Sequence, residues 1–225
     1  MFDDQLLEDF AQNFYGYGNY KADYWFIGME EGGGNSVTDI SSRLNAWIKR
    51  GRRELENLAG YHAEFGISNL FGPNHKLQST WGKLIRVLLS AKGPLPTIDE
   101  VRKYQGLHLG RSSGDTCLLE LLPLPSPSTN NWLYGQHSQL PYLTNRETYK
   151  QMFITLRIAL LKDRIIEHGP KVVIFYSHSL SNTLARDCRY WPYIRKDHYE
   201  WNDCIRGDKT SSSPRYHERI FSSFR

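Results

Sequence analysis

Three short apolar runs, each stopped abruptly by glycine, proline or polar residues, constrain this chain more than anything else in it. They are Tyr24-Trp25-Phe26-Ile27-Gly28, Thr116-Cys117-Leu118-Leu119-Glu120-Leu121-Leu122 and Lys171-Val172-Val173-Ile174-Phe175-Tyr176. Apolarity without alternation over so few residues is the pattern of strands buried on both faces. Helical spacing fills the stretches between them. Residues 4–14 place Leu7, Phe10 and Phe14 on one side, and residues 38–58 align Leu44, Trp47, Ile48, Leu55 and Leu58. Further helices are expected over 80–90 and 98–104, and Asn145 caps one running from 146 to 168, closed by Gly169-Pro170. Another helix is expected after Ser177-His178-Ser179, through about Cys188. Strands alternating with helices predict the α/β class: a three-layer α/β/α sandwich on a short, mainly parallel sheet of about four strands. A single domain over residues 1–225 accommodates it. Beyond Arg189 the chain turns polar and aromatic, with only 219–224 resembling a strand.

Composition narrows the function classes. Lys and Arg number 28 against 24 Asp and Glu, a net charge of +4. This is enough for a nucleic-acid face and too little for a histone-like polycation. No apolar stretch is long enough for a membrane-spanning helix. The acidic start, Met1-Phe2-Asp3-Asp4, lacks the positive charge of a signal peptide, so a cytoplasmic protein is expected. Cys117, Cys188 and Cys204 form no CxxC, which argues against a zinc ribbon, an iron–sulfur cluster and a disulfide framework. His75, His137, His198 and His217 are too dispersed for a metal site, so neither metal nor cofactor is expected. Most of the six Trp and fourteen Tyr are expected in the core, and a surplus of flat rings also suits stacking on bases.

Chemistry-bearing side chains gather at the strand exits, where α/β folds keep their sites. Glu30 and Glu31 follow the first strand, Glu120 lies near the end of the second, and His178 follows the third. Each has a plainer alternative as a surface or capping residue; Glu31 could cap the helix beyond the glycines. Gly32-Gly33-Gly34 is neither GxGxxG nor a P-loop, since no Lys-Ser/Thr follows. It permits positive φ and close backbone approach by a ligand.

Taken together these residues resemble the uracil-DNA glycosylase superfamily. Phe26-Ile27-Gly28-Met29-Glu30-Glu31-Gly32 resembles its first motif, preceded by the aromatic-glycine prelude Phe14-Tyr15-Gly16-Tyr17-Gly18. Leu119 to Pro125 resembles the second strand, and Lys171 to Ser181 the third with its helix, so the likeness spans about residues 14 to 188. It implies a monomeric enzyme that flips a base out of DNA. Glu30 would take the water-positioning place, Glu120 the base-reading place, and Gly28, Met29, Gly32, Gly33, Tyr15 and Tyr17 would line the base pocket. The sequence departs from the family in having Glu30 for Asp, Asn or Ala, Glu31 for Pro and Glu120 for Asn, and the last His motif is absent.

A carboxylate at position 30 suits the chemistry, because it accepts a proton from the attacking water and offsets charge on an oxocarbenium-like sugar. Glu31 is the second candidate; convergence of the two would raise one pKa. An ionised Glu120 would only accept hydrogen bonds, favouring the exocyclic amine of cytosine over O4 of uracil. The expected substrate is therefore a modified cytosine such as occurs in phage DNA, consistent with family members that act in antiphage defence. No lysine stands at a strand exit, so a monofunctional hydrolase is expected. Arg43, Lys49, Arg50, Arg52 and Arg53 on the polar side of the early helix are candidate phosphate contacts, as are Arg186, Arg189, Arg195 and Lys196. A solvated helix face is the alternative. Ser126, Ser128 and Thr129, beside Asn130 and Asn131, form a proline-stiffened loop suited to backbone phosphate. Trp25, Trp81 and Phe153 are assigned to the core, and Trp132 to stacking. A uracil-repair glycosylase, a catalytically inactive binding module and a hydrolase of free modified nucleosides are the competing readings.

Overall fold

The computed structural model describes residues 1–72 and 74–176. His178, the four later basic candidates, His198, His217 and the strand expected at 219–224 lie outside the described residues. Along the chain the elements are α1 (Asp4–Asn13), β1 (Gly16–Tyr17), β2 (Tyr24–Glu30), α2 (Val37–Lys49), β3 (Leu55–Glu56), α3 (Leu58–Glu64), α4 (Ser79–Lys92), α5 (Ile98–Leu107), β4 (Thr116–Leu122), α6 (Tyr134–His137), α7 (Arg146–His168) and β5 (Val172–Phe175). The strands form one sheet in the order β3-β1-β4-β2-β5. Its centre is parallel: Phe26 lies between Leu118 and Ile174, and Gly28 lies beside Glu120. Among the described strands only the β1–β4 pairing is antiparallel. The architecture is an α/β/α sandwich on a mostly parallel sheet.

All seven residues of β4 are buried, which is why its sequence shows no alternation. Trp25, Phe26 and Ile27 of β2 are likewise buried, and Phe10 and Trp47 bring α1 and α2 together edge to face, 5.1 Å between ring centroids. Asn145 accepts from the Thr148 amide at 3.0 Å, and Gly169 adopts a left-handed φ of 54°, so α7 begins and ends at its expected signals.

Two features around α2 differ from the sequence expectation. The helix expected over 38–58 stops at Lys49 because Gly51 and Arg52 take left-handed φ of 91° and 53°. The Arg52 amide then donates back to the Trp47 carbonyl, and Asn57 caps a separate helix, α3. In addition Arg43 lies on the buried side of α2, with Ile40, Leu44 and Trp47, instead of on its solvent side. The spacing 40, 43, 44, 47 is that of a single helical stripe.

One buried cation ties α7 to the sheet. Arg157 is fully buried and donates to the backbone carbonyls of Leu121, Glu120 and Phe14, at 3.0, 2.9 and 2.9 Å. The Tyr15 ring is sandwiched by Arg157 at 3.7 Å and Arg164 at 3.9 Å. These bonds fix the exit of β4 against α7. Among the described residues no helix is long and apolar enough to cross a membrane.

Candidate active site at the strand exits

The parallel register sets Glu120, Gly28 and the residue after β5, Tyr176, in a row across the sheet. The Tyr176 amide donates to the Ile27 carbonyl at 3.1 Å, continuing the ladder one step past the strand. Its phenol crosses Gly28 and donates to Glu120 Oε1 at 2.8 Å. A Cβ at Gly28 would lie 2.3 Å from Glu120 Oε2 and 2.4 Å from Tyr176 Oη. Only glycine leaves room for both groups.

Glu120 is 8% exposed, and its Oε2 has no hydrogen-bond partner among the described residues. Burial pushes its carboxyl up to about 8; the Tyr176 hydrogen bond and Arg157 oppose the shift, and Glu31 adds to it. At neutral pH this side chain is mainly a carboxylic acid. The ionised, purely accepting group expected from the sequence is replaced by one that both donates and accepts. Burial and the adjoining Glu120 hold the Tyr176 phenol well above its ordinary range.

Glu30 stands two residues beyond Gly28, so strand alternation returns it to the same face as Glu120. Its Oε2 is bound by Arg146, whose guanidinium also donates to Ser126 Oγ and the Ser128 carbonyl, each at 3.0 Å. Trp132 flanks Arg146, with 5.9 Å from guanidinium to ring centroid. The other oxygen, Glu30 Oε1, is buried without a partner among the described residues. One oxygen is anchored and one is left to accept.

Glu31 belongs to a different network, so the two adjacent carboxylates do not converge. Its Oε1 accepts from the Tyr17 phenol at 2.6 Å and from Arg43 Nη1 at 2.8 Å. Arg43 Nε bonds Asp39 at 3.0 Å, and the Tyr61 phenol donates to the Arg43 carbonyl at 3.0 Å. Burial, then the Glu31 charge, raise the Tyr17 phenol well above its usual value. Ser36, not Glu31, caps α2. Gly33, at φ 108°, has its Cβ position 2.4 Å from Arg43 Nη2. The close approach these glycines permit at that point is to the protein's own arginine. Gly32 is exposed with nothing near its Cβ position, and Met29 is half-buried against the core.

The remaining candidates are dispersed. Ser126 is buried, its hydroxyl 2.9 and 2.7 Å from the Ser128 and Asn131 carbonyls, whereas Ser128 and Thr129 are exposed. Lys49 pairs with Glu64, Arg52 with Asp9 at 2.5 Å, and Arg50 with the buried Glu56 at 2.8 Å; Arg53 is exposed. Tyr15 and Tyr17 are core rings held by the arginines and Glu31 described above. Trp25 and Phe153 are buried, Trp81 packs half-buried against the core beside His62 and Phe71, and the Trp132 indole donates to the Leu143 carbonyl at 2.7 Å. Two surface clefts, of about 320 and 310 Å³, lie between α4 and α5 and between α1 and α7; neither is lined by Glu30, Glu31 or Glu120. No group of three or more His, Cys, Asp or Glu able to hold a metal occurs among the described residues.

Sequence reasoning missed Arg146, Arg157 and Tyr176. Arg146 had a signal: a cation at the first position of a helix opposes the helix dipole, which suggests another use. Arg157 had one too, standing between Phe153 and Leu161 at four-residue steps on an otherwise apolar stripe. No protein-family model, curated protein or solved structure matches the chain. What the site can do therefore rests on its own chemistry.

Proposed function

We propose that the protein is a DNA glycosylase that hydrolyses the N-glycosidic bond of a flipped, modified cytosine and leaves an abasic site. One observation carries the reading: Glu30 and Glu120, on one face of adjacent parallel strands, each keep a buried carboxyl oxygen without a partner among the described residues. Buried polar atoms are seldom left unbonded, and one that is calls for a partner such as water, an ion or a ligand. Arg146 holds one oxygen of Glu30, which leaves the other to accept a hydrogen from the water attacking C1′ and to face the positive sugar. Glu120 meets the base. As a neutral acid it offers a donor and an acceptor, as an amide does, and matches the N3 and exocyclic amine of cytosine. The open surface at Gly32 leaves space for a substituent at the 5-position.

The test is mass spectrometry of bases released from DNA containing uracil, cytosine, hydroxymethylcytosine or its glucosylated form. Release of a modified cytosine is expected, and Glu30→Gln should abolish abasic-site formation while DNA affinity persists. Release of uracil alone would select the repair reading. The buried position of Glu120, away from both clefts, favours the binding-module reading as runner-up. DNA binding without release of any base would decide for it.

A further inference from the structure

We infer that Glu120 is the general acid of this reaction, passing its Oε2 proton to N3 of the cytosine ring as the C1′–N1 bond breaks. The inference rests on the glycosylase reading and deepens it, because it says which ring the site can expel. Cytosine is a poor leaving group as an anion. When the glycosidic bond breaks, its electron pair enters the ring and N3 becomes more basic, so a donor at N3 lets the base depart neutral. Uracil already carries hydrogen on N3 and cannot take a proton there.

The geometry supplies such a donor. Tyr176 donates to Oε1, which fixes that oxygen as the acceptor and leaves Oε2 for the proton. Oε2 is buried, unpartnered among the described residues and 2.3 Å from the Cβ position that Gly28 leaves empty, beside the Tyr176 phenol. Glu30, on the same face one pleat further along, is placed for the water. The proton count closes. Water oxygen bonds C1′, its proton goes to Glu30, the Glu120 proton goes to N3, and the bond pair leaves with the base. Exchange with solvent then returns Glu30 to its anion and Glu120 to its acid.

The charged and titratable groups around Glu120 are Tyr176 after β5, Glu31 after β2, Arg157 of α7, and the Glu30–Arg146 pair on the shared face. Tyr176 and Arg157 favour its anion, and burial and Glu31 favour its acid. Since the acid is the working form, the activity has an alkaline limit set by this residue.

The experiment is single-turnover base release from DNA carrying the modified cytosine, followed from about pH 6 to pH 10, with wild type, Glu120→Gln and Tyr176→Phe. The wild-type rate should fall roughly tenfold per pH unit above about 8. Glu120→Gln, which keeps the shape and the hydrogen bonding, should lose about 10²- to 10⁴-fold in rate with DNA affinity retained. Tyr176→Phe removes a bond that favours the anion, so its alkaline limit should move to higher pH. A purely structural role for Tyr176 would leave that limit in place. Base release that stays level through pH 8 to 10, or a Glu120→Gln enzyme at the wild-type rate, overturns the general-acid assignment and leaves the glycosylase reading standing. No base release at any pH overturns both.

Discussion

Tyr176 reaches over the unsubstituted Cα of Gly28 to bond Glu120 Oε1 at 2.8 Å. The contact joins β4, β2 and the residue that follows β5, and it holds only because Gly28 of β2, in the middle, contributes no side chain. The bond favours the carboxylate in a place where burial favours the acid.

Gly28→Ala tests the arrangement directly. A methyl group at this position would overlap both Glu120 Oε2 and Tyr176 Oη. Both side chains must move, which breaks their hydrogen bond and overpacks a buried site. We expect a folded protein destabilised by about 1–3 kcal/mol, measured by urea denaturation, with base release lost beyond detection. A variant of wild-type stability and activity would refute the close packing described for this row.

The same carboxyl makes stability depend on pH. Glu120 has an ordinary value of 4.5 and a folded value of about 8, so between these the folded protein keeps a proton that the unfolded chain releases. Stability from this group is full below about 4.5, falls as pH rises toward 8, and is level beyond. The loss is of the order of a few kcal/mol. Other groups titrate over the same interval, so the quantity to measure is the difference between wild type and Glu120→Gln across it. That difference should change steadily between pH 5.5 and 8 and be constant above about pH 9.

How legible all this was in the sequence depended on how many residues carried each signal. β2, β4 and β5 were readable because a run of apolar residues ended at a break in each, and α7 because Asn145 and Gly169 mark its two ends. β1 and β3 are two residues long and have no periodicity to read; they exist because Gly16 and Tyr17 find partners in Leu119 and Leu118 on one side and Leu55 and Glu56 on the other. Arg43 was legible in principle, since it falls in phase with Ile40, Leu44 and Trp47, but its charge argued for solvent and the phase decided otherwise. The ionisation of Glu120 was beyond sequence reasoning. It follows from burial and from Tyr176, which stands 56 positions away along the chain.

Arg43 and Glu31 illustrate the cost of separating a buried pair. Their side chains are 6% and 10% exposed and 2.8 Å apart. Arg43→Met removes the cation and leaves Glu31 with only the Tyr17 phenol, at an expected loss of about 3–5 kcal/mol. Arg43→Met combined with Glu31→Gln removes both charges and should recover a large part of that loss. The check is a double-mutant cycle by urea denaturation; strict additivity of the two single changes would show that the pair is not coupled.

Arg146 is expected to act on rate through Glu30, as a positioning residue. It binds one oxygen of Glu30 and is itself held by Ser126 Oγ and the Ser128 carbonyl, so it fixes the carboxylate relative to the loop after β4. In Arg146→Ala the carboxylate is free to turn, and the oxygen we assign to water is no longer held in one direction. Misplacement of a reacting group by about 1 Å can cost roughly 10²-fold in rate. We therefore expect single-turnover base release to fall by about 10- to 100-fold with the DNA dissociation constant nearly unchanged, because the contact orients the carboxylate and does not bind the strand. Arg146→Lys keeps the charge but not the forked geometry that reaches Ser126, Ser128 and Glu30 together, and should restore only part of the loss. A fall in DNA affinity matching the fall in rate would instead make Arg146 a phosphate contact, and its bond to Glu30 would then be incidental to the chemistry.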